Sequence, residues 1–542
     1  MKSIYISTFI FLLVAICAAS CEDNLDIEQQ GVTTTSVYQT GDDTQVKQFI
    51  SAVYAMVLGN SFEAILSGGQ ASYRSVNYEM SRMSAETADY YAYNEGADAS
   101  TYSYIWYYYY KVAYWCNMII DGLPENNVAS ESVKTRVIAE ARVIRAIAMM
   151  NLVQLYGNPP LADHVMNGSE GNTPAVDSWN FIETELNEAA TDLPSKSGLG
   201  GQETIGGRLT KEAAYAYLGK AQLWQKKYDD AAKTLHDKVI STGKYLLNPN
   251  FATYNSSNSD FSDENIWEYN FSDEGSVSNS QDGCFDVICF SPVVTYWYHT
   301  YGNVYMGYGM GAHPSKSFAE FMTSHEVTND GTLSPRYQGT LIDCVNAHNG
   351  FTAMLPASIP ESEGYIKLKD LCLADDLLGT LPWFFSKRNV AYMRYAEVLL
   401  NYAEAVAMGG TEGTITGLQA LNLVRQRAGL TDAPALDMNN VDYGVKAERR
   451  AELYGEGHRF IDLVRWGDAA SELADCGKIK PTFKATMTDV SAGETTVSYI
   501  ISTEITTAST GGPGFVSGKN ELFPIPTTDR DNNPNLEQNP GW

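Results

Sequence analysis

Between Val133 and Leu155 the apolar residues recur at Val133, Val137, Ala141, Ile144, Ala148, Leu152 and Leu155. Steps of three and four place all of them on one face of an α-helix. Gly157-Asn158-Pro159-Pro160 follows at once and ends that helix. An amphipathic helix of this length must bury its stripe against other elements. Glu140, Arg142 and Arg145 lie off the stripe and read as its polar side. Similar periodicity recurs on both sides of a long irregular stretch, so the chain reads as mostly α.

A second helical unit is more specific. Thr210 is a plausible N-cap for a helix ending near Lys226, and Tyr228-Asp229-Asp230-Ala231-Ala232 opens another. Laid on the tetratricopeptide pattern, Tyr215 takes the Trp place, Leu218-Gly219 the Leu-Gly pair, Ala231 the small position and Leu235 the Phe position. Small residues at Gly219 and Ala231 let the paired helices approach closely. Gln222 departs from the expected Tyr, and Gly243 follows where Pro is common. A third pair is expected at Ala391–Met408 and Thr416–Ala428, split by Gly409, Gly410 and Gly413. Such hairpins bury a continuous core only by stacking.

From about 250 to 390 helical stripes fade and Ser, Asn, Asp, Gly and Pro become frequent. Irregular segments of this length inside a compact protein are functional or disordered, and aromatic richness argues against disorder. A second irregular stretch, 481–518, alternates at Thr496-Val497-Ser498-Tyr499-Ile500 and is expected to form a β-hairpin.

The beginning of the chain gives an address. Lys2, the apolar run Ile4–Ala19 and the small residues Ala18-Ala19-Ser20 form a secretory signal. The run falls short of the ~20 residues that span a bilayer. Cys21 at the cut resembles a bacterial lipobox, with Ala18 where Leu is usual. Residues 1–20 are therefore expected to be removed, Cys21 to carry lipid, and the polar, Thr-rich 21–44 to form a flexible tether. The net charge of −28 opposes nucleic acid and anionic lipid as partners. Of the eight cysteines, Cys116, Cys284, Cys289, Cys344, Cys372 and Cys476 remain beyond the leader and Cys21, with no CxxC. Cys284 and Cys289 are near enough in sequence to close a small loop, and their pairing stays open. The seven His residues never join Cys at metal-ligand spacing and there is no HExxH, so neither a structural metal nor a cofactor is expected.

Three passages together resemble the RagB/SusD family of outer-membrane nutrient-binding lipoproteins: AEARVIRAIAMMNLVQLYGNPPL (139–161), MRYAEVLLNYAEAVA (393–407) with LNLVRQRAGL (421–430), and ERRAELYGEGHRFIDLVRWG (448–467) joined to the closing FPIP and NPNLEQNPGW. Glu22 and Asp23 also resemble the acidic surface-export signal of Bacteroidota lipoproteins. The resemblance implies one domain over 45–542: four tetratricopeptide-like hairpins on a scaffold of about 45–250 and 391–470, an irregular ligand-binding region at about 251–390, minor β-hairpins and a turn-rich end at 471–542. It further implies a non-enzymatic, lipid-anchored outer-membrane protein that captures oligosaccharide or polysaccharide and docks as a lid on a TonB-dependent barrel of the SusC type. The rival readings are the same architecture with peptide cargo, a surface glycoside hydrolase, and a scaffold that binds only protein.

Pyranose rings stack on aromatic faces while polar side chains meet their hydroxyls. Tyr296, Trp297, Tyr298 and Tyr301, interleaved with glycines in TYWYHTYGNVYMGYGMG, are the first candidates for that work. The stretch 72–98 adds Arg74, Asn77, Tyr90, Tyr91 and Tyr93. Tyr102–Trp115 (YSYIWYYYYKVAYW) is expected to be helical core instead. The charged run Glu448–Arg465 could be mistaken for a pair of glycosidase carboxylates; opposite charges three and four apart on a helix favour ion pairs among themselves. Arg394, Glu397, Asn401 and Glu404 read as interhelical glue. Asp260, Asp263 and Glu264 lack EF-hand spacing and read as a solvated loop.

Overall fold

The computed structural model describes residues 35–58, 73–88, 92–199, 207–251, 257–270, 313–343, 358–360, 362–367, 369, 377–378, 385–386, 389–489 and 499–542. The architecture is mostly helical. Helices α1 (Thr35–Thr40), α2 (Asp43–Leu58) and α3 (Tyr73–Arg82) precede α4 (Ser100–Gly122), α5 (Glu131–Tyr156), α6 (Ala175–Asp192), α7 (Lys211–Trp224) and α8 (Tyr228–Lys238). After the irregular region come α9 (Lys316–His325), α10 (Pro335–Thr340), α11 (Tyr395–Ala407), α12 (Gly417–Arg427), α13 (Val445–Glu452), α14 (Arg459–Trp466), α15 (Ala469–Glu472) and α16 (Thr527–Asn532). From α4 to α8 each helix packs on the next, and α8 packs on α11, which packs on α12. The segment between α8 and α11 is thus inserted between neighbours of one array. Among the described residues no helix is long and apolar enough to cross a membrane.

The close pairing of α7 and α8 follows from the residues that suggest it. Thr210 caps α7 by accepting from the Ala213 amide at 3.3 Å. A Cβ on Gly219 would lie 2.5 Å from Leu235, whose side chain is fully buried. Thr416 and Gln419 form a reciprocal capping box at the start of α12. The helix expected from Ala391 begins only at Tyr395, because Val390–Arg394 is strand β7, paired antiparallel with β1 (Asn265–Tyr269). That ladder satisfies backbone groups that a helix would otherwise pair internally.

Helix α5 is buried on most sides, not on one stripe. Glu140 is fully buried and receives Arg208 at 2.7 Å and Arg136 at 3.1 Å; Arg145 pairs with Glu185. The polar side expected there is buried and ion-paired, and through Arg145 and Glu185 it joins α5 to α6. The C-terminal segment caps this helix: Phe523 N donates to Leu155 O at 2.7 Å, and Asn539 Nδ2 to Tyr156 O at 2.9 Å. Carbonyls that a helix end leaves without partners are satisfied in this way.

The remaining strands are short, with one exception. Strands β8 (Ile479–Asp489) and β9 (Tyr499–Ser509) form the expected hairpin, in register from Ile479↔Ser509 to Asp489↔Tyr499. Strand β3 (Ser358–Pro360) adds to the other edge of β8. Two more antiparallel pairs, β2 (Leu341–Asp343) with β4 (Tyr365–Lys367) and β5 (Leu377–Leu378) with β6 (Phe385–Ser386), lie within the inserted segment. One hydrophobic cluster runs from Tyr38 to Leu536, and a smaller one joins α9 and α10 to Ala451 and Tyr454.

Candidate ligand-binding site

The charged helices α13 and α14 form a buried ion-pair hub. Arg336 places Nη2 2.6 Å from Glu326 and Nη1 2.5 Å from Glu448 and 3.1 Å from Glu452. Arg394 Nη1 lies 2.7 Å from Glu264 and 2.9 Å from Glu452, and its Nε is 3.0 Å from Glu456. Arg427 joins both Glu264 and Glu452. These pairs run mostly between elements, whereas spacing along the helix suggested pairs within it. The cause is that α13 touches α9, α11 and α12 at once. Glu264 is fully buried inside this hub, which corrects the reading of Asp260, Asp263 and Glu264 as a solvated loop. Its neighbour Asp263 takes Lys196 at 2.6 Å, and Asp260 accepts from the Asn389 amide at 3.0 Å. Interhelical glue describes the α11 stripe well: Glu397 meets Lys220 at 2.8 Å, Asn401 accepts from Arg449, and Glu404 takes Arg465 at 2.9 Å.

The electrostatics of the hub favour charge over proton exchange. Burial opposes ionisation of Glu448 and Glu452, but Arg336 and His325 beside the first, and Arg427 and Arg394 beside the second, hold both well below the carboxylate range. A general acid needs the reverse shift. Glu268 has it, pushed up to about 8 by burial and by Asp260. However, Glu268 is buried, with Phe261 N at 2.5 Å and Asn265 Nδ2 at 2.6 Å on its two oxygens. Among the described residues no group of His, Cys, Asp and Glu is arranged to hold a metal ion.

Beside the hub, two segments meet. Ala88 N donates to His313 O at 3.0 Å, Ser315 N to Glu86 O at 2.8 Å, and Ser315 Oγ to Ala85 O at 2.7 Å. Glu86, buried, pins this joint to α13 and α14 through Arg450 Nε at 2.9 Å and Arg459 Nε at 3.1 Å. Asn77 packs over Gly457 between those helices, where a Cβ would lie 2.8 Å from its Oδ1. Asn77 also lines a cavity of about 60 Å³ with Tyr109, Lys220 and His458. That volume admits water but falls short of the ~300 Å³ at which ligand pockets begin.

Two family models match the chain: one of the SusD family over residues 385–542, and one described as starch-binding associating with outer membrane over residues 26–223. The chain belongs to the SusD family. It is 25% identical to SusD-like protein P25 of Formosa agariphila over 86% of this chain and 90% of that protein. A SusD-like protein of Bacteroides ovatus is 23% identical over 67% of this chain and 65% of its own. Among solved structures, a laminarin-binding SusD-like protein superposes with a TM-score of 0.69 at 22% identity, over 92% of this chain and 100% of that one. Surface glycan-binding protein A from Bacteroides thetaiotaomicron, in complex with laminarihexaose, gives a TM-score of 0.69 at 20% identity over the same shares.

In this SusD-family chain the sequence candidates part company. Tyr90, Tyr91, Tyr296, Trp297, Tyr298 and Tyr301 lie outside the described residues, as does Cys21, and so do Cys284, Cys289, Cys344 and Cys372. Cys116 is a buried free thiol. Arg74 lies on α3, one helix turn before Asn77. Tyr93 belongs to the core: it is buried at a left-handed φ of 62°, its ring sits 5.1 Å from Phe515, and its hydroxyl donates to Met83 O. No open face is left on it for a ligand. The run Tyr102–Trp115 is helical and largely core, with Tyr102, Trp106, Tyr108 and Tyr109 buried. Tyr107 and Tyr114 are the exceptions, 60% and 39% exposed. Their seven-residue spacing, with Lys111 between, carried the signal that they share an outward face.

Proposed function

We propose that this chain is a surface glycan-binding lipoprotein of the outer membrane that captures oligosaccharide without cleaving it and hands it to a SusC-type TonB-dependent barrel. The joint between Ala88 and His313 carries the reading. It sets Ala88, two residues before Tyr90 in the chain, beside His313, which follows in sequence the run 295–311 that holds Tyr296, Trp297, Tyr298 and Tyr301. Arg74 and Asn77 lie on the helix that leads into the same joint. Glu86, held by Arg450 and Arg459, gives the segment a rigid base, and a fixed support is what a binding constellation needs. Relatives named for laminarin and laminarihexaose support a neutral glycan as cargo. The lipobox at Cys21 supports a lipid anchor, and the family description supports the outer membrane.

The depressed carboxylates of the hub favour binding over hydrolysis. A glycan array probed with the purified mature protein, followed by chromatography of the bound sugar, tests both parts. Binding with intact sugar recovered is the expected result; released shorter products that vanish on one Asp or Glu substitution favour a hydrolase, and binding to peptides alone favours peptide cargo. Purification of the tagged chain from outer membranes is expected to bring a large β-barrel with it.

A further inference from the structure

A groove of about 620 Å³ runs along the outer face of α4, between that helix, residues 160–170 and residues 529–536. Tyr107 and Tyr114 stand exposed at its edge, two helical turns apart on one face. Tyr110 lies between them, its hydroxyl donating to Pro160 O at 2.7 Å and its ring 4.7 Å from the buried Trp106. Trp115 meets Tyr114 edge-on at 5.5 Å. The groove therefore offers successive ring faces and not an aliphatic seam.

Its walls are tied down from behind. Asn117 holds the loop before Met166 by donating to Ala162 O at 3.2 Å, and Arg145 reinforces it by donating to Asp163 O at 3.0 Å. On the other side Asn533 Nδ2 donates to Glu170 O at 2.8 Å and Asn535 Nδ2 to Ser169 O at 2.7 Å, locking the C-terminal turn onto the same loop. The rim is polar and of mixed sign: Glu170, which accepts from the amides of Asn167 and Gly168, and Asp529 line it with Lys111 and His164. His164 Nε2 lies 3.5 Å from Glu170. Such a rim can accept and donate to hydroxyls, and its carboxylates disfavour an anionic ligand.

We infer that the α4 groove is a second binding site for neutral oligosaccharide, in which sugar rings stack on Tyr107 and Tyr114 and the rim carboxylates, Lys111 and His164 hold their hydroxyls. The site shares no residue with the joint at Ala88 and His313, so the two stand or fall separately. Its volume lies in the range of small-ligand pockets, and its aromatic faces with a polar rim match what a pyranose presents.

Met166 lines the groove and supplies a local probe. Mature protein labelled at methionine methyls is titrated with laminarihexaose, maltohexaose and xylohexaose up to about ten times a 1 mM Kd, with the Met166 signal assigned from Met166→Leu. At least one sugar is expected to move that signal saturably. The shift should persist in Trp297→Ala/Tyr298→Ala, and Tyr107→Ala/Tyr114→Ala should weaken the response roughly tenfold or more. Both tyrosines are exposed, so the second variant keeps its fold, which unchanged circular dichroism verifies. A Met166 signal that stays fixed under every sugar overturns the inference. So does one that moves equally in wild type and in Tyr107→Ala/Tyr114→Ala, or one that answers only to peptides.

Discussion

Arg449 grips Asp462 with a two-pronged contact, Nε and Nη2 each 2.9 Å from one carboxylate oxygen, in a place where both side chains are buried. This pair joins α13 to α14, and Arg465 closes on the same carboxylate at 2.8 Å. Burial opposes the charge on Asp462, yet Arg449 and Arg465 hold it well below its ordinary range. Removing one partner leaves the other charge buried and uncompensated. Asp462→Leu should therefore cost about 3–5 kcal/mol in urea unfolding. A double-mutant cycle with Arg449→Met should return a coupling of about 1–3 kcal/mol.

Acid should destabilise the fold in two stages. Burial lowers His313 to about 4, and its ring nitrogens have no hydrogen-bond partner among the described residues. His458 is lowered to about 4 as well, mainly by burial. An unfolded histidine titrates near ~6.5, so between about pH 6.5 and 4 the unfolded chain binds more protons and stability falls with pH. Below ~4.3 the carboxylates follow: Glu397, which Lys220 and His458 hold down to about 2 against burial, loses its contribution as it is protonated. Replacing His313 with Leu should flatten the first stage by on the order of 2–3 kcal/mol between pH 7 and 4, measured by denaturant unfolding across pH.

The contact of Gly219 with Leu235 predicts a third effect. Gly219→Val forces a branched side chain into a space that is already short at Cβ. Overpacking of this kind costs about 1–3 kcal/mol. Leu235→Ala in the same chain should recover part of the loss, an outcome that thermal unfolding of the single and double variants checks.

Much of this was legible in local chemistry, and the misses share a cause. Thr210, Gly219 and Leu235 act on neighbours along the chain or across one hairpin, so capping and small-residue rules found them. Ala391–Met393 looked like the start of a helix because its strand partner, Trp267–Glu268, lies far away in sequence. Glu140 read as part of a polar side and Glu264 as part of a solvated loop, because a sequence shows which residues are charged and not which arginines will lie against them. Tyr93 illustrates the same limit: its composition-rich surroundings suggested a sugar platform, whereas Phe460 and Phe515 arrive from distant segments to enclose it. The ligand segments themselves were nominated by residue type alone.

Glu86 links the ion-pair hub to the proposed site, and this gives a functional prediction. Glu86→Gln keeps the shape but weakens the hold of Arg450 and Arg459 on the segment before Tyr90. Loss of a charge-assisted contact is worth about 1.5–3 kcal/mol, part of which should appear as weaker sugar binding. Affinity is expected to fall several-fold in calorimetry while the protein remains folded at neutral pH.

In the proposed function the chain captures glycan on Tyr90, Tyr91, Tyr296, Trp297, Tyr298 and Tyr301. Calorimetric titration of wild type and of Trp297→Ala/Tyr298→Ala with a panel of neutral oligosaccharides tests it most directly. Two stacking rings are worth about 1–3 kcal/mol, so saturable binding of at least one sugar is expected, with a loss of about tenfold to a hundredfold in the variant. Equal affinity in the two proteins, or no sugar bound by wild type, would contradict it.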